Sequence, residues 1–338
     1  MGERFFSKVQ IGTENPAAHG TPVAATKMLL GKVPAIGNDR KPVFPAEDVG
    51  IRADAVRSVV HQYLYSNTLS IEHGYFQILP WLYGCGLKGG VTSAEQTTDQ
   101  NDFLWAQTPS LVSGESNAID SGTIELGDDV QAFEAEYAMF ERIRLSGQVA
   151  QGQDASPVNI EADFFSRQLM PTTFTALTPP VVEPMNAKLA RLYIDTAWAG
   201  IGATEKANIL RGFDVEILTG THPKFSGSGS KFFNLHGEGL IMVTAQLTLE
   251  GTSVADAVFD AQQAQTFQAV RLAINGPQIG TGDPHSHVLD IGGIWESVSP
   301  LGGEDRGNNL HTATLRGLYD LTGTKLLQVN TTTNVETY

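Results

Sequence analysis

The residue types best suited to chemistry fall in four places. Asp283-Pro-His285-Ser-His287-Val-Leu-Asp290 carries two histidines at alternate positions. On a strand they share one face, so both rings could reach a single zinc ion. The segment offers no obvious third ligand, and polar side chains are ordinary at a strand entrance after Gly-Asp-Pro, so no metal is expected. The stretch from Glu115 to Glu136 holds seven carboxylates and no Lys or Arg. Paired acids could cleave a glycosidic bond, and Asp128-Asp129 could hold calcium, but a solvated acidic face is the simpler account. Gly227-Ser-Gly-Ser-Lys231 has the composition of a phosphate cradle without its spacing, and no helix pattern follows at once, which points to a flexible loop tip. The single cysteine, Cys85, sits in the apolar stretch Phe76-Gln-Ile-Leu-Pro-Trp-Leu-Tyr-Gly-Cys85, where a buried thiol is expected. No Gly-x-Ser-x-Gly, His-Glu-x-x-His or Walker-type loop occurs. Catalytic, cofactor and metal residues are therefore all expected to be absent.

Composition narrows the class further. The chain has 338 residues, 41% of them hydrophobic and only 17% charged, with 35 glycines. That is enough apolar material for a sizeable core and enough glycine for many turns between short strands. The net charge is −15, with 21 acidic and 12 basic side chains in residues 1–170 and 16 and 10 in 171–338. An excess of acid spread over the whole chain opposes tight binding along nucleic-acid phosphates. It leaves open the passage of DNA that is not held. One cysteine excludes an intrachain disulfide and suits a reducing cytoplasm. Neither an apolar leader at the N-terminus nor an apolar run of 18 residues is present, so neither a signal peptide nor a membrane span is expected.

Elements that would position these residues come in two sets. Thr178-Pro-Pro-Val-Val-Glu-Pro184 has three prolines in seven residues, which favours an extended, semi-rigid connector over helix or central strand. It divides the chain into residues 1–177, a linker 178–186 and residues 187–338. Each part shows a short strand (Lys8–Ile11; Arg191–Ile194), then a second (Lys27–Val33; Asn208–Val215). A long irregular stretch follows (Gly37–Ala55; Thr219–Gly239), then an alternating strand (Val59–Ile71; Leu240–Glu250). A helix comes next (Tyr75–Tyr83, short or kinked at Pro80; Ser253–Ala264, with an apolar stripe). A long hairpin closes each part: Met139–Val149 with Val158–Gln168, and Val288–Val298 with Asn309–Asp320, turning at Ala150–Pro157 and Ser299–Asn308. The first part carries an extra polar segment near Gly89–Asp128. Trp105, Trp198 and Trp295 are scattered as core or interface anchors would be. The expected fold is mainly β, two tandem β-barrel or sandwich domains, each with one short helix.

Several short segments resemble the tail tube (major tail) proteins of siphophages. In the second part they are Ala197-Trp-Ala-Gly-Ile201, Ile209-Leu-Arg-Gly-Phe213, His222-Pro-Lys-Phe-Ser-Gly227, Leu247-Thr-Leu-Glu-Gly251, Leu301-Gly-Gly-Glu-Asp-Arg-Gly-Asn-Asn-Leu310 and Thr314-Leu-Arg-Gly-Leu-Tyr-Asp320. The opening Ile11-Gly-Thr-Glu-Asn-Pro and Gly20-Thr-Pro-Val-Ala-Ala-Thr26 is similar in kind. The resemblance implies a structural virion protein and not an enzyme, assembled in the host cytoplasm, located in the virion tail and stacked as rings around transiting DNA. It also implies tape measure, tail terminator and tip proteins as partners. The doubled length departs from the simplest relatives, which have one module per chain, and predicts rings of three chains.

Two sets of residues carry these expectations. Asp128, Asp129, Glu134 and Glu136, with Glu304 and Asp305, are candidates for an acidic lumen. Phe44, Phe225, Phe232 and Phe233, in the two long loops, are candidates for contacts between rings, since exposed aromatics need a partner. The alternatives are a decoration or adhesin protein of the virion and a β-sandwich polysaccharide hydrolase.

Overall fold

The computed structural model describes residues 6–34, 36–152 and 154–338. Residues 1–5 of the expected N-terminal arm, and Gln153 in the turn Ala150–Pro157, lie outside the described residues. The chain is mainly strand with two short helices. Its first half contains β1 (Lys8–Thr13), β2 (Lys27–Leu29), β3 (Arg40–Val43), β4 (Val59–Tyr63), β5 (Tyr65–Ile71) and α1 (Leu79–Gly84). It continues with β6 (Thr92–Glu95), β7 (Phe103–Gln107), β8 (Gly122–Gly127), β9 (Ala132–Gln148), β10 (Val158–Ser166) and β11 (Leu169–Thr172). The second half contains β12 (Ala190–Asp195), β13 (Leu210–Leu218), β14 (Thr221–Lys224), β15 (Leu235–Glu238), β16 (Met242–Glu250) and α2 (Ser253–Gln263). It ends with β17 (Gln268–Gln278), β18 (Pro284–Asp305), β19 (Asn308–Gly317) and β20 (Leu327–Thr333).

The same order of antiparallel pairings runs through both halves. In the first, β1 pairs β8, β8 pairs β9, β9 pairs β10 and β10 pairs β5. In the second, β12 pairs β17, β17 pairs β18, β18 pairs β19 and β19 pairs β16. The long strands β9 and β18 each serve two sheets. Their N-terminal ends also pair with β11 and β20 respectively, while their C-terminal ends form the hairpins. β9 changes direction near Tyr137, which sits at φ 58°. β18 changes near Gly292-Gly293, where glycines accommodate a bend at no Cβ cost.

The halves join edge to edge. Gly212–Leu218 of β13 pairs with Arg142–Gln148 of β9, so β5, β10, β9, β13, β16, β19 and β18 run side by side as a seven-strand stretch of one 16-stranded sheet. No closed barrel forms among the described residues; the arrangement is a sandwich-like set of open sheets. The larger apolar cluster runs through both halves, with Phe140, Ile143 and Leu145 of β9 in the same core as Val215, Ile217, Leu247 and Trp295. Alternation along each strand puts these side chains on one face, which is the period a half-buried strand requires.

Several sequence expectations change in detail. Pro80 does not kink α1, because it stands at the helix start, where no backbone donor is needed. α2 begins at Ser253 as expected, with Thr252 in the extended cap position. The expected strand Lys27–Val33 shrinks to β2 plus one bridge, Lys32 to Ser70, since Pro34 cannot donate to a ladder. Most of the expected turn Ser299–Asn308 is strand, and the reversal is confined to Arg306 (φ 52°) and Gly307 (φ 90°), as a two-residue hairpin demands. The two long stretches are not structureless: Thr219–Gly239 contains the hairpin β14–β15, and Gly37–Ala55 contains β3, which pairs with β4 from the expected strand Val59–Ile71, itself divided into β4 and β5. Of the extra segment Gly89–Asp128, β8 belongs to the repeated order. β6 and β7 extend the second half through β7 and β20, tying the halves together. The linker packs back on the first half, where Phe76 N donates to Glu183 O at 3.2 Å.

Candidate functional surface

The seven-strand stretch buries one face and presents the other as a polar surface. Three adjacent strands alternate charge on that face. Arg142 and Arg144 project from β9, Glu161 and Asp163 from β10 on one side, and Asp214 and Glu216 from β13 on the other. Arg142 Nε meets Asp163 Oδ2 at 2.6 Å, and its NH1 meets Glu216 Oε2 at 3.4 Å. Arg144 meets Asp214 at 2.5 Å and Glu161 at 3.2 Å. Each guanidinium thus bridges the seam or its flank, and the geometry favours arginine, whose forked donors reach two carboxylates at once. Hydrogen bonding to Asp163 holds Arg142 above its ordinary range, and hydrogen bonding to Asp214 does the same for Arg144. Burial pushes Asp163 upward, but hydrogen bonds from Arg142 and Thr68 outweigh it and leave the carboxyl below its usual range.

Beyond the charged ladder the face is mostly hydroxyls and amides, with Arg316 beside Glu296 and Arg211 paired with Glu250 at its margins. Ser66, Thr68 and Ser70 lie on β5, Thr244, Gln246 and Thr248 on β16, and Thr312 and Thr314 on β19. The ladder itself holds four carboxylates and two guanidinia, a net of −2 from −4 and +2. Such a surface offers short polar contacts with no unpaired cation among these residues.

None of the six acids expected to line a lumen belongs to this ladder. Asp128 and Asp129 lie in the β8–β9 turn, where Asp128 accepts from Val130 N and Gln131 N, both at 2.9 Å. Backbone hydrogen bonds, first from Gln131, hold its carboxyl low. Glu134 and Glu136 lie on the N-terminal end of β9; burial raises Glu136 despite Arg167 nearby. Glu304 and Asp305 lie at the tip of the β18–β19 hairpin, with Glu304 accepting from Gly307 N at 3.1 Å. The ladder has its own sequence signal, which went unread. Arg-Ile-Arg, Glu-Ala-Asp and Asp-Val-Glu place like charges two residues apart around an apolar residue on three strands.

The aromatic candidates divide. Phe44 is 62% exposed after β3. Phe233 is fully buried, not awaiting a partner: it packs with Ile119, Tyr137, Met139 and Phe165 of the first half, and Phe225 packs against the same cluster. Phe232 lies under the Arg167 guanidinium, 5.0 Å from its ring centre. The β14–β15 hairpin therefore reaches back over the first half, and Lys231 O accepts from Tyr63 N at 2.9 Å.

The remaining chemical candidates are structural. His287 is enclosed between Tyr83 Oη, 3.3 Å from Nε2, and Thr331 Oγ1, 2.9 Å from Nδ1. Burial lowers it to about 3. His285 stacks on Phe76, and burial lowers its pKa also. Cys85 is buried, and desolvation pushes its thiol well up. Within the acidic stretch, Glu125 is a brace: it accepts from Ala25 N, Thr175 N and Thr175 Oγ1. Among the described residues no group of three His, Cys, Asp or Glu is placed to hold a metal ion. Among the described residues no helix is long and apolar enough to cross a membrane. No protein-family model matches the chain, and no curated protein matches it.

Proposed function

We propose that the chain is a structural subunit that assembles through its sheet edges into stacked rings forming a phage tail tube. The observation that carries this reading is the seam: two halves with one order of pairings meet edge to edge in a single sheet. A chain that joins two like modules this way already contains one of the lateral contacts a ring needs. In this reading each half is one tube module, three chains supply six modules, and the linker 178–186 holds two neighbours at fixed spacing. The polar face, with its Thr, Ser and Gln rows and its neutralised ladder, is the surface suited to DNA that must slide without being held. The resemblance of the short segments supports the same reading and brings with it assembly in the host cytoplasm, a place in the virion tail, and tape measure, terminator and tip proteins as partners. No enzymatic activity is proposed.

Negative-stain electron microscopy of the purified protein tests this directly. Annuli or tubes whose rings have about three times the mass of the chain are the expected result. Discrete particles of one chain at every concentration would overturn it.

A further inference from the structure

The two halves are unequal in one respect. The C-terminal end of β9 is covered on both sides, by β10 and by β13. The corresponding end of β18 pairs with no described strand but β19, and α2 packs against β18. The correspondence is fixed by register. Arg142 and Arg144 oppose Asp163 and Glu161, and Ser297 and Ser299 oppose Thr314 and Thr312. On the next strand out, Ser70 opposes Glu161 and Thr248 opposes Thr312. The strand that covers β9 in the chain begins where Gly212 pairs Thr248; its counterpart in the first half begins where Lys32 bridges Ser70. The segment from Lys32 into β3–β4 therefore corresponds to β13 running into β14–β15.

The exposed apolar side chains obey the same correspondence. The β14–β15 hairpin buries Phe233 against Met139 and Phe165 of the first half. The β3–β4 hairpin has no such bed, and Val43, Phe44, Val49, Ile51 and Val56 are all exposed, Phe44 by 62% and Ile51 by 63%. A run of exposed large apolar residues on one arm is costly unless covered. In the second half, Ile294 and Arg316 stand where Met139 and Phe165 stand in the first, by the pairings Ile294 to Arg316 and Met139 to Phe165. Around Ile294 the surface is partly open and mixed: Met242 lies against Arg316, Glu296 is 3.8 Å from Arg316, and Leu318, whose N donates to Gly292 O, is 47% exposed.

We infer that the unpaired strand edge of β18 and the bed beside Ile294, with Met242 and Leu318 exposed on it, receive the β3–β4 arm of a second copy, head to tail. The contact repeats between chains what β13–β15 does within one. Because donor arm and receiving edge are different surfaces, the contact is heterologous and extends until rotation closes a ring. Strand addition to an open edge supplies backbone hydrogen bonds, and the arm's apolar residues supply burial. The sequence expectation set Phe44 between rings; the correspondence sets it between side-by-side neighbours. The inference rests on the assembly reading above only in requiring that copies meet.

Two full-length variants test it. Phe44→Asp/Ile51→Asp disables the arm and leaves the edge; Met242→Asp/Leu318→Asp disables the bed and leaves the arm. All four positions are exposed, so both variants should keep the wild-type far-ultraviolet circular dichroism and melting transition. In sedimentation velocity, wild type should assemble, each variant alone should remain a single chain, and an equimolar mixture should give a 1:1 dimer that grows no further. Assembly by the arm variant alone, or a mixture of folded variants that stays monomeric, overturns the contact. Wild-type rings alongside either result leave the assembly reading standing, whereas wild type that never assembles defeats both.

Discussion

Glu141 and Glu296 occupy the same bulge, one in each half of the chain. Each is the residue skipped where a long strand changes register against its hairpin partner, between Phe140 and Arg142 opposite β10 and between Trp295 and Ser297 opposite β19. Their surroundings differ in the way the halves differ. Glu141 O accepts from Thr219 N at 2.9 Å, where the second half lies over it. Glu296 is exposed, with Arg316 3.8 Å away. A bulge raises local twist and bends its strand, so two bulges at one position give both long strands the same bend between their two sheets.

The bend in β9 depends on Glu14. This carboxylate is 1% exposed and accepts from Gly20 N at 2.6 Å, Ser121 Oγ at 2.6 Å, Thr123 Oγ1 at 3.0 Å and Tyr137 N at 2.7 Å. Glu14→Ala strands four donors and should destabilise the chain by about 3 kcal/mol or more. Glu14→Gln keeps one acceptor oxygen and should cost less. Urea unfolding measures both; an alanine variant within about 0.5 kcal/mol of wild type would show that solvent replaces the carboxylate without loss.

Tyr137 is held at φ 58° while its ring packs between His19, 5.4 Å away, and Phe233, 5.0 Å away. Removing the ring costs packing in any variant, but only glycine removes the backbone strain as well. Tyr137→Gly should therefore be more stable than Tyr137→Ala by about 1 kcal/mol. Equal stabilities, or alanine above glycine, would mean that the left-handed conformation is not kept in solution.

Much of this architecture was legible because strand periodicity is local. The hairpins β9–β10 and β18–β19, the helix α2 and the repeated spacing all follow from alternation, Gly, Pro and capping residues within short windows. The seam was not legible. Pairing of β13 with β9 joins residues some 70 apart, and nothing local to Asp214-Val-Glu216 names its partner. The burial of Phe233 escaped for the same reason, since its bed is Met139 and Phe165 in the other half. The density of acids along 115–136 is a local feature, whereas the charge on one sheet face is assembled from three strands far apart in the chain.

His287 gives a pH signature. Its folded pKa is about 3, lowered by burial, against 6.5 for the free side chain. Above pH 6.5 neither state binds the proton and the full contribution is present. As pH falls from 6.5 toward 3 the unfolded chain takes up a proton that the native state refuses, and stability is lost at about 1.4 kcal/mol per pH unit. His287→Gln lacks this proton. The gap between wild type and variant, from urea unfolding, should be largest near pH 7 and narrow as the solution is acidified. A gap independent of pH would show that the imidazole is not held neutral.

The polar face makes the last prediction, which tests it as the lining of a channel. Its Thr, Ser and Gln side chains carry no charge, Arg142 and Arg144 are already engaged by four carboxylates, and Arg316 lies beside Glu296. Assemblies of the wild-type protein should therefore retain no duplex DNA at about 0.15 M salt. Thr312→Lys/Thr314→Lys adds two cations per chain on β19, which β16 separates from the seam strand β13. Each lysine that meets a phosphate releases a counterion, so log affinity should fall with log salt by about 0.9 per contact. Assemblies of this variant should retain linear duplex, and high salt should release it. Topology separates inside from outside: a closed circular duplex cannot thread a preformed tube, whereas it can lie along an outer wall. Retention of linear but not circular DNA is the expected outcome. Equal retention of both would put the face on the exterior, and no retention by intact assemblies would remove it from the path of DNA altogether.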